Sequence, residues 1–198
     1  MDIVPASKER HGHLAALLAR AFGDDPFIGW MIRQDRKRDA GFLTMFQAYV
    51  RLAAPHGLIY ATADFNSTAL WVPPGKWHLS VPKQLSLIPD YVRALGWSGL
   101  GPKVKAIQAV QDEHPHDKPY YYLFALGTEP AHQRKGLGTA LLRHFHPRVD
   151  AEKIGCYLET ARESNVAMYE RHGYRVVKHY HPVPQSPPLW LMWRDPKG

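Results

Sequence analysis

The chain has 198 residues, 45% hydrophobic and 22% charged, with six tryptophans and ten tyrosines. That is enough apolar material for one cored domain, residues 1–198, and excludes a disordered or fibrous chain. The formal charge of +7 suits an anionic partner, whether nucleic acid, membrane surface or small anion, without choosing among them.

In chain order, Ser7 reads as an N-cap, and Leu14, Leu17, Leu18, Ala21 and Phe22 then recur at helical spacing until GDDPF ends the helix. No basic segment followed by an apolar one stands at the start, and no run approaches the roughly 18 to 20 apolar residues of a membrane span, so a cytoplasmic location is expected. RQDRKR at 33–38 is basic but broken by Asp35 and lacks interleaved aromatics; it reads as a solvated loop, and no nucleic-acid partner is expected. A second helix from about Arg38 to Pro55 carries Phe42, Met45, Phe46, Tyr49, Val50 and Ala53 on one side, with Gly57 placed to terminate it. LIYATA and TALWVP read as a hairpin about an Asp-Phe-Asn-Ser turn.

Between about 81 and 114 two weaker helical patterns flank GWSGLGP, which reads as a hinge or loop. YYYLFALGT is an aromatic-rich strand, 136–146 a helix, IGCYLET a strand, and SNVAMYERHG a helix stopping at Gly173. YRVVKHY and PLWLMWR complete the chain as strands. This alternation implies an α/β sheet with helices packed against it.

QRKGLGTALL joins a strand to a helix. The first N–H groups of a helix lack internal partners and can donate to an anion, aided by the positive end of the macrodipole. Gly136 and Gly138 remove Cβ atoms that would hold a phosphate oxygen off the backbone, so the turn fits a pyrophosphate. The dinucleotide fingerprint requires glycine or alanine at 141, where Leu141 stands. A P-loop requires Lys-Ser or Lys-Thr after the glycines, whereas Lys135 precedes them. A bare Gly-x-Gly is equally compatible with a tight turn that binds nothing.

Gln133-x-x-Gly136-x-Gly138, after LGTEP and before an apolar helix, resembles the coenzyme A signature of the GNAT superfamily of acetyl-CoA-dependent N-acetyltransferases. CYLETARESNVAMYERHGYRVV resembles the other half of that superfamily's core, a strand followed by Asn-x-x-x-Tyr on a helix ending in Gly-aromatic, and AFGDDPFIGWM resembles its first helix and following loop. The run from about Ala69 to Trp193, including ALWVPPG and PPLWLMW, resembles the puromycin N-acetyltransferase branch. Thr128 departs from the hydrophobic residue usual before x-Pro, and Gly127 beside it leaves room for a close pantetheine or acetyl group.

The resemblance implies an α/β (α+β) fold, a mixed, mostly antiparallel central sheet flanked by helices and splayed around a CoA-binding cleft. It implies direct acetyl transfer from acetyl-CoA to a primary amine of a small-molecule acceptor, with no covalent enzyme intermediate and no metal. Leu126, Gly127 and Thr128 would lie along the pantetheine; Gln133, Arg134, Lys135, Gly136, Leu137, Gly138 and Thr139 would surround the pyrophosphate. Asn165 would hold the cofactor arm, and Tyr169, four residues on and so on the same helix face, would protonate the departing thiolate. The alternative for Tyr169 is plain packing under the sheet. Glu159, ending CYLE and directed to the cleft, is the candidate general base, against an equal alternative of a sheet-edge or helix-cap contact.

Two other functions stay open: a protein or peptide N-acetyltransferase with an open acceptor groove, and a non-catalytic acyl-CoA sensor, against which an intact Asn165 and Tyr169 argue. A monomer or homodimer is expected, with residues 76–118 shaping the acceptor site. The twelve histidines, four of them starting His-x-His pairs, lack zinc-site spacing and read as solvent-facing imidazoles. Cys156 reads as a small buried strand residue, with a catalytic thiol the minor alternative. Trp190 and Trp193, three apart on a strand, face opposite sides.

Overall fold

A computed structural model describes residues 1–77, 80–97 and 99–198. Ser98 of the GWSGLGP segment lies outside the described residues. Helix α1 (His11–Ala21) follows a 3₁₀ turn at Lys8–Arg10; Ser7 is extended before that turn. The GDDPF segment does more than end this helix. Asp25 accepts a hydrogen bond from the Ile28 N–H at 2.9 Å and caps a short helix α2 (Pro26–Met31), with proline in its first turn. Helix α3 (Arg38–Ala53) ends through a 3₁₀ turn in Gly57, whose φ of 64° is left-handed.

Where two helical patterns are legible the chain forms three helices, α4 (Val81–Ser86), α5 (Ile88–Leu95) and α6 (Leu100–Asp112). Helices α7 (Leu137–Glu152) and α8 (Glu163–Glu170) fall where the C-terminal patterns put them, α7 running six residues beyond 146 in spite of Pro147.

Seven strands form one sheet: β1 (Ile3–Pro5), β2 (Ile59–Thr62), β3 (Ser67–Val72), β4 (Tyr120–Thr128), β5 (Gly155–Thr160), β6 (Tyr174–Tyr180) and β7 (Leu189–Arg194). Their spatial order is β1-β2-β3-β4-β5-β7-β6, and every neighbouring pair is antiparallel except β4 and β5. This is the mixed, mostly antiparallel sheet that the sequence leads one to expect, plus a three-residue β1 that is too short to carry a period.

Side chains alternate across the sheet and build a core on each face. Leu70 and Ala125 face α1, α3 and α5, and pack with Leu17, Phe46 and Leu95. Trp71 points the other way and stacks on Phe145 of α7 with ring centroids 4.1 Å apart. Trp193 packs with Tyr120, Tyr157 and Leu191, while Trp190 packs against the α7–α8 core, so the two tryptophans do take opposite faces. Arg194, 2% exposed, is held by Asp150 of α7 through two hydrogen bonds of 2.7 and 2.9 Å.

One irregularity positions the site. Leu70 pairs with Ala125 but Trp71 pairs with Leu123, so Phe124 is an extra residue on β4. Such a bulge bends its strand. The parallel pairing of β4 with β5 begins at Tyr120–Gly155 and stops at Tyr122–Tyr157, immediately before the bulge. Beyond it the two strands separate, leaving 123–128 of β4 without a β5 partner.

Candidate active site

The seam between β4 and β5 opens into a cleft whose walls include Asp25, Phe27, Leu126, Glu159, Asn165 and Tyr169. Glu159 and Tyr122 come from the sheet face that carries Tyr157, whereas Tyr169 belongs to the core on the opposite face. They share one cleft because the sheet is open between them.

Glu159 is held from two sides. The Tyr122 hydroxyl donates to its Oε2 at 2.7 Å, and His114 Nε2 lies 3.2 Å from its Oε1, close but outside hydrogen-bonding alignment. His114 is 1% exposed, shares a 2.8 Å hydrogen bond between Nδ1 and the Tyr120 hydroxyl, and stacks on Trp77. This corrects the reading of the histidines as uniformly solvent-facing; His146, 7% exposed, departs from it too. Among the described residues no three His, Cys, Asp or Glu side chains gather to hold a metal ion.

Tyr169 is 6% exposed, and its hydroxyl makes no hydrogen bond among the described residues. Burial, reinforced by the charge of Asp25, pushes that hydroxyl well above the usual tyrosine range, so it keeps its proton. Asp25 is itself raised by burial, against the opposing effect of the Ile28 N–H. Asn165 donates from Nδ2 to Thr160 Oγ1 at 3.3 Å, which turns its amide to the same cleft. Asp24 pairs with Arg162 and ties the α1–α2 loop to the β5–α8 loop.

The glycine turn lies past the end of β4. Arg134 and Gly136 both have left-handed backbone, φ 62° and 80°, and Gly136 is the N-cap of α7. Among the described residues the backbone N–H groups from 134 to 139 find no acceptor in the protein; the first N–H donor of the helix with a partner is Ala140, bonded to the Gly136 carbonyl at 3.0 Å. Six successive free donors at a helix start, with the Arg134 guanidinium unpaired among the described residues, fit a pyrophosphate. Gln133 donates to the Thr128 carbonyl at 3.3 Å and Lys135 to the Ala131 carbonyl at 3.1 Å, both stiffening the turn. The Thr139 hydroxyl lies 3.2 Å from His172 Nε2, and Leu137 is buried under the helix.

Two expectations change. The open side of Gly127 faces α1, where a Cβ would come within 2.7 Å of Leu18 Cδ2, so the close approach this glycine permits is that of a helix and not of a pantetheine arm. Thr128 turns its hydroxyl to Ser67 Oγ at 2.7 Å, which gives the departure from the usual hydrophobic residue a partner of its own. Leu126, by contrast, lines the cleft, and its side chain is 3.6 Å from where a Gly138 Cβ would stand. Cys156 is buried and its thiol is pushed up to about 12 by that burial, so it is an inert packing residue.

Sequence reasoning missed Asp25, Tyr122 and His114. The first carried a usable signal, since Asp-Pro after a helix end marks a new N-cap with proline at N1. Tyr122 reaches Glu159 through the parallel register of β4 and β5, and His114 comes to it from the segment after α6; no local pattern encodes either approach.

Comparison with known proteins agrees with this geometry. A family model described as an acetyltransferase (GNAT) domain matches residues 103–176, from α6 through to β6. A curated Schizosaccharomyces pombe protein described as an uncharacterised N-acetyltransferase is 24% identical over 195 residues, covering 92% of this chain and 78% of its own. Among solved structures, a Corynebacterium glutamicum protein described as histone acetyltransferase HPA2 and related acetyltransferase superposes with a TM-score of 0.75 at 22% identity, over 99% of this chain and 96% of that one. Drosophila melanogaster polyamine N-acetyltransferase, which forms N-acetylagmatine, gives 0.63 at 14% identity, over 98% and 100%. Residues 103–176 are thus similar to a GNAT acetyltransferase domain, and the fold as a whole is that of solved acetyltransferases.

Proposed function

We propose that the protein transfers an acetyl group from acetyl-CoA to the primary amine of a small-molecule acceptor, with Tyr169 as general acid and Glu159 as general base. The observation that carries this reading is the meeting of a buried, proton-bearing phenol and a carboxylate in one cleft at the β4–β5 seam. Acetyl-CoA, when bound, supplies a thioester carbonyl and a thiol leaving group. Residues 123–128 of β4 offer it a strand edge free of β5, and the N–H groups at 134–139 with Arg134 receive its pyrophosphate. Asn165 steadies the arm. Leu126, Gly127 and Thr128 contribute backbone, position 127 having no room for a side chain against α1.

Glu159 accepts the proton that the attacking amine must lose, directly or through one water; the Tyr122 hydroxyl keeps its carboxylate aimed at the cleft. Tyr169 donates to sulfur as negative charge develops there. Its raised pKa holds the proton back until that charge appears, which suits a hydrogen-bond donor to a thiolate.

Acetyl-CoA with a panel of primary amines, read by thiol release, tests the reading, and calorimetry of acetyl-CoA alone tests the cofactor site. Tyr169→Phe is expected to lower turnover by about 100-fold or more with acetyl-CoA affinity nearly intact. Wild-type turnover in that variant would remove Tyr169 from the chemistry, and absence of acetyl-CoA binding would remove the whole proposal.

A further inference from the structure

A second chamber of about 100 Å³ opens off the catalytic cleft and shares Phe27, Tyr49, Tyr122 and Phe124 with it. Helices α2, α3, α5 and α6 close it, with Met31, Met45, Leu52, Tyr91 and Ile107 on its walls and Trp77 at the β3 end. Gln111 and the tyrosine hydroxyls are its polar groups, and no charged side chain lines it among the described residues. The two carboxylates nearby, Asp25 and Glu159, both stand in the adjoining cleft.

We propose that the acceptor is a monoamine with a single aromatic ring, the ring seated in this chamber and the amine directed out of it toward Glu159. The inference rests on the N-acetyltransferase reading above and narrows its substrate. Three observations lead to it. Size is the first: a cavity of about 150 Å³ lined by apolar side chains accommodates benzene, so about 100 Å³ is the scale of one ring and not of two.

Charge is the second. A second ammonium or a peptide backbone in the chamber would lose its hydration against apolar walls with too few acceptors to replace it. The carboxylates of the cleft sit where a single ammonium attached to a ring would emerge.

Ring orientation is the third. Aromatic walls can also cage a cation, but only through their faces. Here the faces of Tyr49 and Phe124 are stacked on each other, with centroids 4.2 Å apart, and Trp77 is stacked on His114 at 4.7 Å. Trp77 also meets Tyr122 and Phe124 in edge-to-face contact, at 4.5 and 5.2 Å. Each of these stackings takes one ring face that a cation would otherwise use, while ring edges, which carry the positive end of the quadrupole, attract the face of another ring.

The test is a set of initial rates at saturating acetyl-CoA for 2-phenylethylamine, ethylamine, putrescine and a short peptide with a free N-terminus. The phenyl compound is expected to exceed each of the others in kcat/KM by about tenfold or more. Ile107→Trp, which fills the chamber, should lower the ratio of phenylethylamine to ethylamine by about tenfold, and Ile107→Ala should shift preference toward a two-ring amine. Thermal unfolding of both variants checks the fold. If ethylamine or putrescine is acetylated as well as phenylethylamine, or if both variants leave the ratio unchanged, the ring-binding chamber is wrong while the N-acetyltransferase stands. If no amine is acetylated by a protein that binds acetyl-CoA, both fall together.

Discussion

The Tyr122 hydroxyl donates to the Glu159 carboxylate at 2.7 Å, from the last rung at which β4 and β5 still pair. The hydrogen bond therefore fixes the candidate base at the point where the sheet opens.

Removing either partner should affect chemistry and leave cofactor binding alone. Glu159→Gln is expected to lower kcat by about 100-fold or more. Tyr122→Phe, which leaves the carboxylate in place but frees it to rotate, should lower kcat by about tenfold. Steady-state kinetics across pH, with acetyl-CoA affinity measured separately, check both variants.

Tyr169 gives a prediction with a definite sign. Its pKa is raised by burial first and by Asp25 second, so the protonated donor persists above the ordinary value of about 10. No alkaline fall in kcat should therefore arise from this hydroxyl below about pH 10. A profile of kcat from pH 7 to 10 on a reactive amine checks it, and a descending limb there that disappears in Tyr169→Phe would contradict it.

The glycines separate packing from binding. Gly127→Ala drives a methyl group to 2.7 Å from Leu18 and 3.1 Å from Ala21, an overpacking expected to cost about 1–3 kcal/mol. Gly138→Ala meets nothing closer than 3.6 Å, and in a helix alanine is worth up to about 1 kcal/mol over glycine. It should leave the fold as stable or more so while weakening acetyl-CoA, because its methyl lies between α7 and the free edge of β4. Urea denaturation and calorimetry on the two variants distinguish them.

The Asp150–Arg194 pair predicts how stability responds to acid. The Arg194 guanidinium holds the Asp150 carboxyl below the usual carboxylate range, so its contribution is fully present above about pH 4 and is lost as pH falls through the lower folded value. Asp150→Asn leaves Arg194, 2% exposed, without its counter-charge and should cost about 3 kcal/mol at pH 7. Denaturation curves at pH 7 and pH 3 for parent and variant should converge on acidification.

Much of the fold and half of the site could be read from the chain. Strand β4 is Tyr120–Thr128 in both accounts, because an aromatic run bounded by Pro119 and Pro130 has no competing period. The helix start at Gly136 and the shared face of Asn165 and Tyr169 follow from local spacing. Non-local geometry was not legible. The extra residue at Phe124 has no signature in sequence, yet it parts the sheet; His114 looks like one histidine among twelve until the fold buries it beside Glu159. Gly127 reads as a ligand contact because nothing in a strand sequence says which helix will cross it.

The parting of β4 and β5 gives this sheet four edges instead of two. Edge strands are templates for another chain, and proteins blunt them to avoid aggregation. The outer edges are blunted simply, β1 by being three residues long and β6 by Arg175 and Lys178. The inner pair is guarded otherwise: Asp25, Phe27, Asn165 and Tyr169 wall the gap, and the Asp24–Arg162 ion pair links the loops on its two sides. The interruption that exposes these two inner edges is thereby walled by side chains against a second strand.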